Sequence, residues 1–506
     1  MSATVTESAG SAPQGEAPAP LRERLGDRLN PLVVKEVRQG LRTRVFWSSF
    51  GLMLIACVFI SMVAYATARE SGFTPQGQGY FFAFFFCLGV VHFFIIPYSA
   101  YRSLARERED ETWVLLILTG LGPRRILRGK VASFLVQAAL YASAVGPFLL
   151  FSYYLNGIDL PTILLVLVLG GAWLVFLTVL AVCTATLADG RMGRALVHLL
   201  LLGSLCMGLV QGLVGAFAIS DQGPKLWGDE DFIAFVVCAL WAMLSYGWLL
   251  FETAAARLAL ATENYTRGPR LALLVQMVVS AALVAGLWVF QDRDEDVATA
   301  ASILGCLHLA FVGLFMATDV DGVTRALRAG TRPWSLLRPG AVRGFRFLLV
   351  LAGAWTAVCA GMHLTSPTPG TQAEAEFMGL LAAPAYMVLY LGLALVVARL
   401  PASGRLASPA VVRILFFALG GLGGALPPLL AVLLDLRASE PLLNLFNPFV
   451  GMDNFMSWDY ASDAPRMTLG LLGCLWGVAG LMAFAADRVL VERERRAHAS
   501  SHGPSL

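Results

Sequence analysis

Long apolar runs, separated by short polar segments, dominate this chain from Val45 onward. Each run holds about 18 or more residues, which is enough for a helix to cross roughly 30 Å of hydrocarbon. Inside lipid the backbone must satisfy its own hydrogen bonds, so we expect these runs to be helices. The pattern predicts an all-α polytopic integral membrane protein with about twelve transmembrane helices. We place these spans near residues 45–66, 80–101, 131–153, 162–187, 195–217, 232–251, 271–290, 299–317, 346–364, 377–398, 413–434 and 467–486.

The polar segments between the runs alternate in charge along the chain. One set is basic, and it comprises the segment before the first span, 102–130, 188–194, 252–270, 318–345, 399–412 and the tail from Arg488. The alternating set is neutral or acidic, and it comprises 67–79, 154–161, 218–231, 291–298, 365–376 and 435–466. Because basic loops stay on the cytosolic side of a membrane, this alternation predicts that both termini are cytosolic.

The segment before the first span combines a tail with an amphipathic stretch. Residues 1–29 begin with a Ser/Ala/Gly/Pro/Glu-rich sequence that has no apolar signal-peptide core, which predicts a disordered cytosolic tail. Asn30-Pro31 is a favourable helix start, with Asn as the N-cap and Pro in the first turn. On a helix, the apolar and polar residues that follow would lie on opposite sides. The apolar side has Val33, Val37, Leu41 and Val45, and the polar side has Lys35, Arg38, Gln39 and Arg42. This spacing predicts a helix along the membrane surface, joined directly to the first span. An ordinary basic flank of a first span is the alternative interpretation.

The loop 102–130 combines basic residues with a short apolar helix. The basic residues are Arg102, Arg106, Arg108, Arg124, Arg125, Arg128 and Lys130. They surround the apolar stretch 113–118, which Gly120, Gly122 and Pro123 end. This loop is too apolar for a plain connector and too charged for lipid, so it predicts a docking surface for a cytosolic partner.

Composition supports the membrane class and excludes several kinds of chemistry. Only 14% of the 506 residues are charged, against about a quarter in soluble chains. We find no acid, lysine or arginine well inside a span, and only His92, His198 and His308 as ionisable exceptions, which argues against an ion-coupled carrier. We interpret these histidines as hydrogen-bonded packing residues. No GxxxxGK[ST] loop occurs, so the chain is not expected to hydrolyse nucleotides. The eight cysteines lie in apolar runs without a CxxC pair and indicate neither a disulfide framework nor a metal site.

Two segments together resemble a known family. Residues 30–38, with Asn30, Pro31, Lys35, Glu36 and Arg38, are similar to the Asn-Pro-x-x-x-Lys-Glu-x-Arg opening of type-2 permeases of ATP-binding cassette exporters. The loop after the second span resembles that family's loop at the same place through Glu107, Glu109, Glu111, Thr112, Trp113, Leu115, Leu116, Pro123, Arg124, Arg125, Gly129 and Lys130. The likeness covers about residues 30–250.

The resemblance implies how such a chain would work. Residues 30–38 would belong to an amphipathic elbow helix, and 107–122 would form a coupling region that docks on a separate P-loop ATPase subunit. Trp113, Leu115 and Leu116 would be apolar anchors, while Arg124, Arg125 and Arg128 would contact acidic groups of that partner or lipid phosphates. ATP and magnesium would sit on the partner, so this chain is expected to need no cofactor and to bind no nucleic acid. The Ala/Gly/Leu/Arg-rich composition is typical of a GC-rich bacterial genome, and we expect the chain to lie in the cell's inner membrane.

The predicted domain organisation has two halves. Residues 30–252 form a permease-like six-helix domain with the loop 102–130, residues 253–486 form a second six-helix bundle, and 487–506 form a cytosolic tail. The second half is either a degenerate permease half, making the chain a pseudo-dimer, or an appended bundle in a chain that still forms a homodimer.

Two other functions remain open at this stage. A secondary carrier would need a polar path, for which Gln137, Gln211 and Gln276 are sparse candidates, and a non-transporting scaffold is also compatible. The aromatic segment 435–466 is interpreted as an external gate, a short re-entrant helix or an interfacial loop.

Overall fold

The computed structural model shows an all-helical protein in the part of the chain that it describes. It describes residues 31–70, 76–110, 122–187, 190–260, 263–319, 335–367, 371–398, 408–437, 440, 442–456 and 465–500. The helices are α1 Pro31–Leu41, α2 Arg44–Glu70, α3 Gly77–Glu109, α4 Pro123–Tyr154, α5 Leu160–Thr184, α6 Arg191–Gln222, α7 Glu230–Leu258, α8 Arg267–Phe290, α9 Glu295–Ala317, α10 Ala341–Leu364, α11 Thr371–Val397, α12 Pro409–Leu433, α13 Val450–Met456 and α14 Pro465–Ser500.

The twelve predicted spans are confirmed. Twelve of the helices within the described ranges, α2–α12 and α14, are long and apolar enough to cross a membrane, and each coincides with one predicted span to within a few residues at most ends. The largest differences are extensions, since α4 begins at Pro123 and α14 continues to Ser500. Hydropathy locates only the part of a helix that lies in lipid, whereas the backbone hydrogen bonding continues into the charged flanks.

The chain divides into two compact units, Met1–Asp229 and Glu230–Leu506. The predicted boundary at residue 252 would leave α7 with the first half, whereas α7 packs against α8 in the second unit. The sequence of an apolar run does not indicate which neighbouring helix it packs against. The assignment of α7 to one of the two units therefore depends on tertiary contacts.

The N-terminal helix α1 is separate from the first span. α1 ends at Leu41, and Thr43 caps the start of α2, since its hydroxyl accepts a hydrogen bond from the Phe46 amide at 3.2 Å. The helix before the first span therefore ends before Val45, and only Arg42 and Thr43 join it to α2. The four-residue spacing of apolar residues continues past Leu41, although the first helix ends there and a new helix starts after the Thr43 cap.

The α3 helix widens into a π-helical segment at Val91–Ile95. His92 lies in this segment, and its Nε2 is 3.1 Å from the Ala138 carbonyl of α4. His198 contacts the Tyr98 hydroxyl at 3.2 Å, and His308 Nδ1 contacts the Tyr246 hydroxyl at 2.8 Å. The interpretation of these three histidines as hydrogen-bonded packing residues is confirmed.

In the second unit, α11 is the most deeply buried of the spans that the structure describes. Its Tyr386 and Tyr390 hydroxyls donate to the carbonyls of Leu445 and Phe446, just before the short helix α13. The aromatic segment thus contains a short helix that follows a turn anchored on α11, and its interpretation as a gate, a re-entrant helix or an interfacial loop stays a prediction. Residues 457–464 lie outside the described residues.

A buried arginine holds the segment before α10. Arg270 of α8 is 1% exposed and donates to the carbonyls of Leu336, Arg338 and Gly340, the last two at 2.7 and 3.2 Å. Its second terminal nitrogen also lies 3.4 Å from the Asp319 carboxylate beyond α9. This arginine therefore connects α8, the end of α9 and the start of α10.

Gly305 of α9 is a close-contact position that supports a packing test. A Cβ added there would meet the indole of Trp355, whose Nε1 donates to the Ala301 carbonyl at 3.0 Å. We expect Gly305→Ala to destabilise the second unit by about 1–3 kcal/mol, because the ring must leave a filled position. Scanning fluorimetry of the detergent-purified chain measures the change. Gly353→Ala on α10 is the control, since a Cβ there meets nothing within 4 Å; equal melting temperatures for the two variants would contradict the packing.

Candidate functional site

The helix α1 presents one acidic residue to the protein and its basic residues outward. Glu36 is 7% exposed, whereas Lys35 and Arg38 are exposed. Next to Glu36 on the same face, Gly40 lies against the Gln137 side chain of α4, where a Cβ would collide. The small residue lets α1 approach α4 closely, and this approach brings Glu36 to the start of α4.

Lys130 of α4 meets acidic groups from two other helices. Its side chain is 0% exposed, and its Nζ donates to Glu36 Oε1 of α1 at 3.2 Å and to Glu107 Oε1 of α3 at 2.8 Å. A third hydrogen bond reaches the Ser103 hydroxyl of α3 at 3.0 Å. We call Glu36, Ser103, Glu107 and Lys130 the Lys130 cluster. All three ammonium protons have acceptors, so the ammonium is fully satisfied.

The electrostatics of the Lys130 cluster favour a fixed arrangement. One ammonium faces two carboxylates whose side chains are 8% and 23% exposed, so removal of the cation would leave two partly desolvated like charges. Buried charges require such pairing, because an isolated ion in a low-dielectric environment is very unfavourable. The cluster joins α1, α3 and α4 through one buried cation.

Further contacts bind the end of α3 to α5 and α6. Arg108 donates to the Ala185 carbonyl at 2.9 Å, and Glu109 forms a half-exposed ion pair with Arg194 at 3.4 Å. A cavity of about 230 Å³ opens between these residues and Tyr101. The C-terminal end of α3 is thus bound to α1, α4, α5 and α6.

Among the predicted elbow and coupling residues that the structure describes, some are buried together and others form what we call the outward group. The Lys130 cluster brings together Glu36, Glu107 and Lys130. The outward group lies at the surface. Its exposed members are Lys35, Arg38, Glu109, Arg124 and Arg125, and its half-buried member is Pro123 in the first turn of α4. Gly129 is buried beside Lys130.

The remaining predicted residues lie outside the described residues: Asn30, Glu111, Thr112, Trp113, Leu115 and Leu116. Pro31 is the first residue of α1. The assignment of 111–116 to a docking helix therefore stays a prediction.

Sequence reasoning missed two features of the site. By sequence Lys130 belongs to the basic residues of the loop 102–130, whereas the structure buries it. The sequence does not single out Ser103, whose hydroxyl accepts a hydrogen bond from Lys130 at 3.0 Å and donates one to Glu36 at 3.5 Å. One signal was available: Glu36 lies three residues after Val33 and one before Val37, on the apolar side of α1.

In comparisons with known proteins, no family model, curated protein or solved structure matches the chain.

Proposed function

We propose that this chain is the membrane-spanning permease subunit of an ATP-binding cassette exporter of a bacterial inner membrane, with both termini in the cytosol. Energy would come from ATP and magnesium on a separate cytosolic ATPase, and this chain would be no enzyme. The observation that carries the proposal is the Lys130 cluster, which joins α1 to both flanks of the loop 102–130.

The cluster supports a route for force between the loop and the spans. Glu107 lies at the end of α3 and Lys130 near the start of α4, so the two sides of the loop are bonded to each other. Glu36 adds α1 to the same network. A partner that moves the loop would consequently move α3, α4 and α1 together, because breaking the buried ion pairs is unfavourable.

The exposed basic residues suit a docking role beside the loop. Arg124 and Arg125 lie in the first turn of α4, and both are exposed. They would contact acidic groups of the ATPase or lipid phosphates. Such contacts at an exposed rim contribute more to orientation and association rate than to affinity.

The double variant Trp113→Ala with Leu116→Asp tests the proposal. We expect it to insert normally but to lose its ATPase partner and ATP-dependent export, because an aspartate replaces an apolar anchor at a desolvated interface. The measurement is mild-detergent purification of the tagged chain from its native cells, with mass spectrometry of the proteins that accompany it. Met192→Asp, at an exposed position of another predicted cytosolic loop, is the matched control.

A stoichiometric P-loop ATPase should accompany the wild-type chain and the control, but not the double variant. If the wild-type chain is reproducibly pure and without an ATPase, the proposal is wrong, and a secondary carrier or scaffold takes its place. If the double variant retains the ATPase, the coupling role of 107–122 is wrong.

A further inference from the structure

Three potential metal ligands from three helices meet at one end of the second unit. They are Glu295 at the start of α9, His363 near the end of α10 and Glu376 in the second turn of α11. One ligand atom from each side chain lies within 4.8 Å of the other two. We call these three residues the Glu295 cluster. By helix direction, all three lie at the same face of the bundle.

We propose that the Glu295 cluster binds a divalent transition-metal ion, with Zn²⁺ as the best fit. Nothing in the proposed export function requires this site, and the two proposals stand independently.

The donor set points to a metal of this class. An imidazole nitrogen suits zinc and its neighbours, whereas calcium and magnesium take oxygen ligands almost exclusively. Two carboxylates add negative charge that a dication would neutralise. Zinc bonds to nitrogen and oxygen are about 2.0–2.2 Å long, so tetrahedral ligand atoms lie about 3.4 Å apart. The three atoms lie within 4.8 Å of one another, so binding requires them to approach by up to about 1.4 Å.

Burial makes the cluster a built site rather than a chance meeting of surface acids. His363 is 8% exposed and Glu376 is 5% exposed. The Glu295 Oε2 atom is buried and accepts no hydrogen bond from the described residues. A buried carboxylate oxygen in this condition is unfavourable unless a proton, a hydrogen-bond donor or a cation compensates it, and a metal ion is one such cation.

Thr299 supplies a second, independent observation. It lies one turn after Glu295 on the same face of α9, since residues four apart are neighbours on a helix. Its side chain is 2% exposed, and within the described ranges its Oγ1 has no hydrogen-bond partner. A metal-bound water would satisfy this hydroxyl, and three protein ligands leave a coordination position open for that water.

Contacts near the Glu295 cluster fix the positions of α9, α10 and α11 relative to one another. The Ser302 hydroxyl of α9 donates to the Leu380 carbonyl of α11 at 2.9 Å. The Ser366 hydroxyl, just after α10, donates to the Arg293 carbonyl just before α9 at 2.7 Å. Phe377 stacks on the His363 ring with centroids 5.2 Å apart. The ligands are therefore preorganised, and a bound ion would clamp α9, α10 and α11 together.

The test is direct metal binding to the full chain, without the ATPase. The detergent-purified protein is stripped with EDTA, gel-filtered, and titrated with Zn²⁺ in competition with a chromophoric chelator. Co²⁺ is used in parallel, because its visible absorption reports the coordination geometry. We compare wild type with Glu295→Gln and His363→Gln. Glu374→Gln is the matched control, since Glu374 is exposed two residues before Glu376 on the same helix.

We expect wild type and Glu374→Gln to bind one more equivalent of Zn²⁺ than the two cluster variants. In the variants the affinity of that equivalent should fall about 100-fold or more, since even partners outside the ligand shell change metal affinity about 10–100-fold. Zn²⁺ should also raise the melting temperature of wild type but not of Glu295→Gln. Glu295 begins its helix and is half-buried, so this variant should fold, and its metal-free melting curve verifies that.

Three results would overturn the proposal. The first is no saturable binding by wild type. The second is Zn²⁺ binding that is equal in wild type and in a folded Glu295→Gln variant, which would place the ion elsewhere. The third is equal affinity for Zn²⁺, Ca²⁺ and Mg²⁺, which would exclude the transition-metal class.

Discussion

Lys130→Met is expected to destabilise the first unit by about 3–5 kcal/mol, because removing one partner of a buried ion pair leaves uncompensated charge. Methionine has nearly the same length as lysine, so little packing is lost. What remains is Glu36 facing Glu107 without the ammonium that now lies 3.2 and 2.8 Å from them. The measurement is the apparent melting temperature in detergent, together with the amount of chain in the membrane fraction. Both should fall sharply.

Two further variants separate this effect from a general loss of positive charge. Arg128→Met removes an exposed cation two residues earlier on the same helix, and it should change the melting temperature little. The triple variant Lys130→Met with Glu36→Gln and Glu107→Gln removes all the charges together, and it should recover most of the lost stability. A Lys130→Met chain as stable as Arg128→Met would show that the buried ion pairs contribute nothing.

Arg270→Met is expected to have an effect of similar size in the second unit. Arg270 is 1% exposed, and its guanidinium satisfies the carbonyls of Leu336, Arg338 and Gly340 besides Asp319. Methionine would leave these acceptors without their donor, and each unsatisfied buried group costs about 1–3 kcal/mol. We expect a loss of about 3–5 kcal/mol and release of the segment 335–340, measured by melting temperature and by protease sensitivity at that segment.

Arg267→Met and Arg270→Lys sharpen this test. Arg267 is exposed one turn earlier on α8, so its loss should be nearly neutral. Lysine at 270 keeps the charge but not the planar fork of five donors, so it should recover only part of the stability. Full stability of Arg270→Lys would mean that charge alone holds the segment, and the hydrogen bonds to the carbonyls would be incidental.

The two cation networks bear on whether the second half repeats the first. In the first unit the cation lies on α4 and its carboxylate at the end of α3, the preceding span. In the second unit the cation lies on α8 and its carboxylate follows α9, the next span. The acid thus precedes its cation along the chain in the first unit and follows its cation in the second unit. Among the described residues, the polar networks give no support to a second half that simply copies the first.

The sequence by itself determined the fold class and the positions of the spans. Apolar run length is compared with one fixed distance, the thickness of the lipid, and this comparison needs no knowledge of neighbouring helices. The start of α1 was also predictable, because Asn30-Pro31 acts locally on the backbone. The alternation of basic and acidic loops can likewise be read without knowledge of neighbouring helices. The membrane topology that it implies stays a prediction.

Only the tertiary structure decided which polar residues act together. Glu36 and Lys130 are 94 residues apart in sequence but 3.2 Å apart in the fold. Glu295, His363 and Glu376 come from three helices, and each taken alone looks like an ordinary residue at the end of a span. Burial and pairing are properties of helix–helix packing, which depends on shape complementarity among many side chains. Hydropathy describes how each helix meets lipid, and it contains no information about which faces of two helices meet each other.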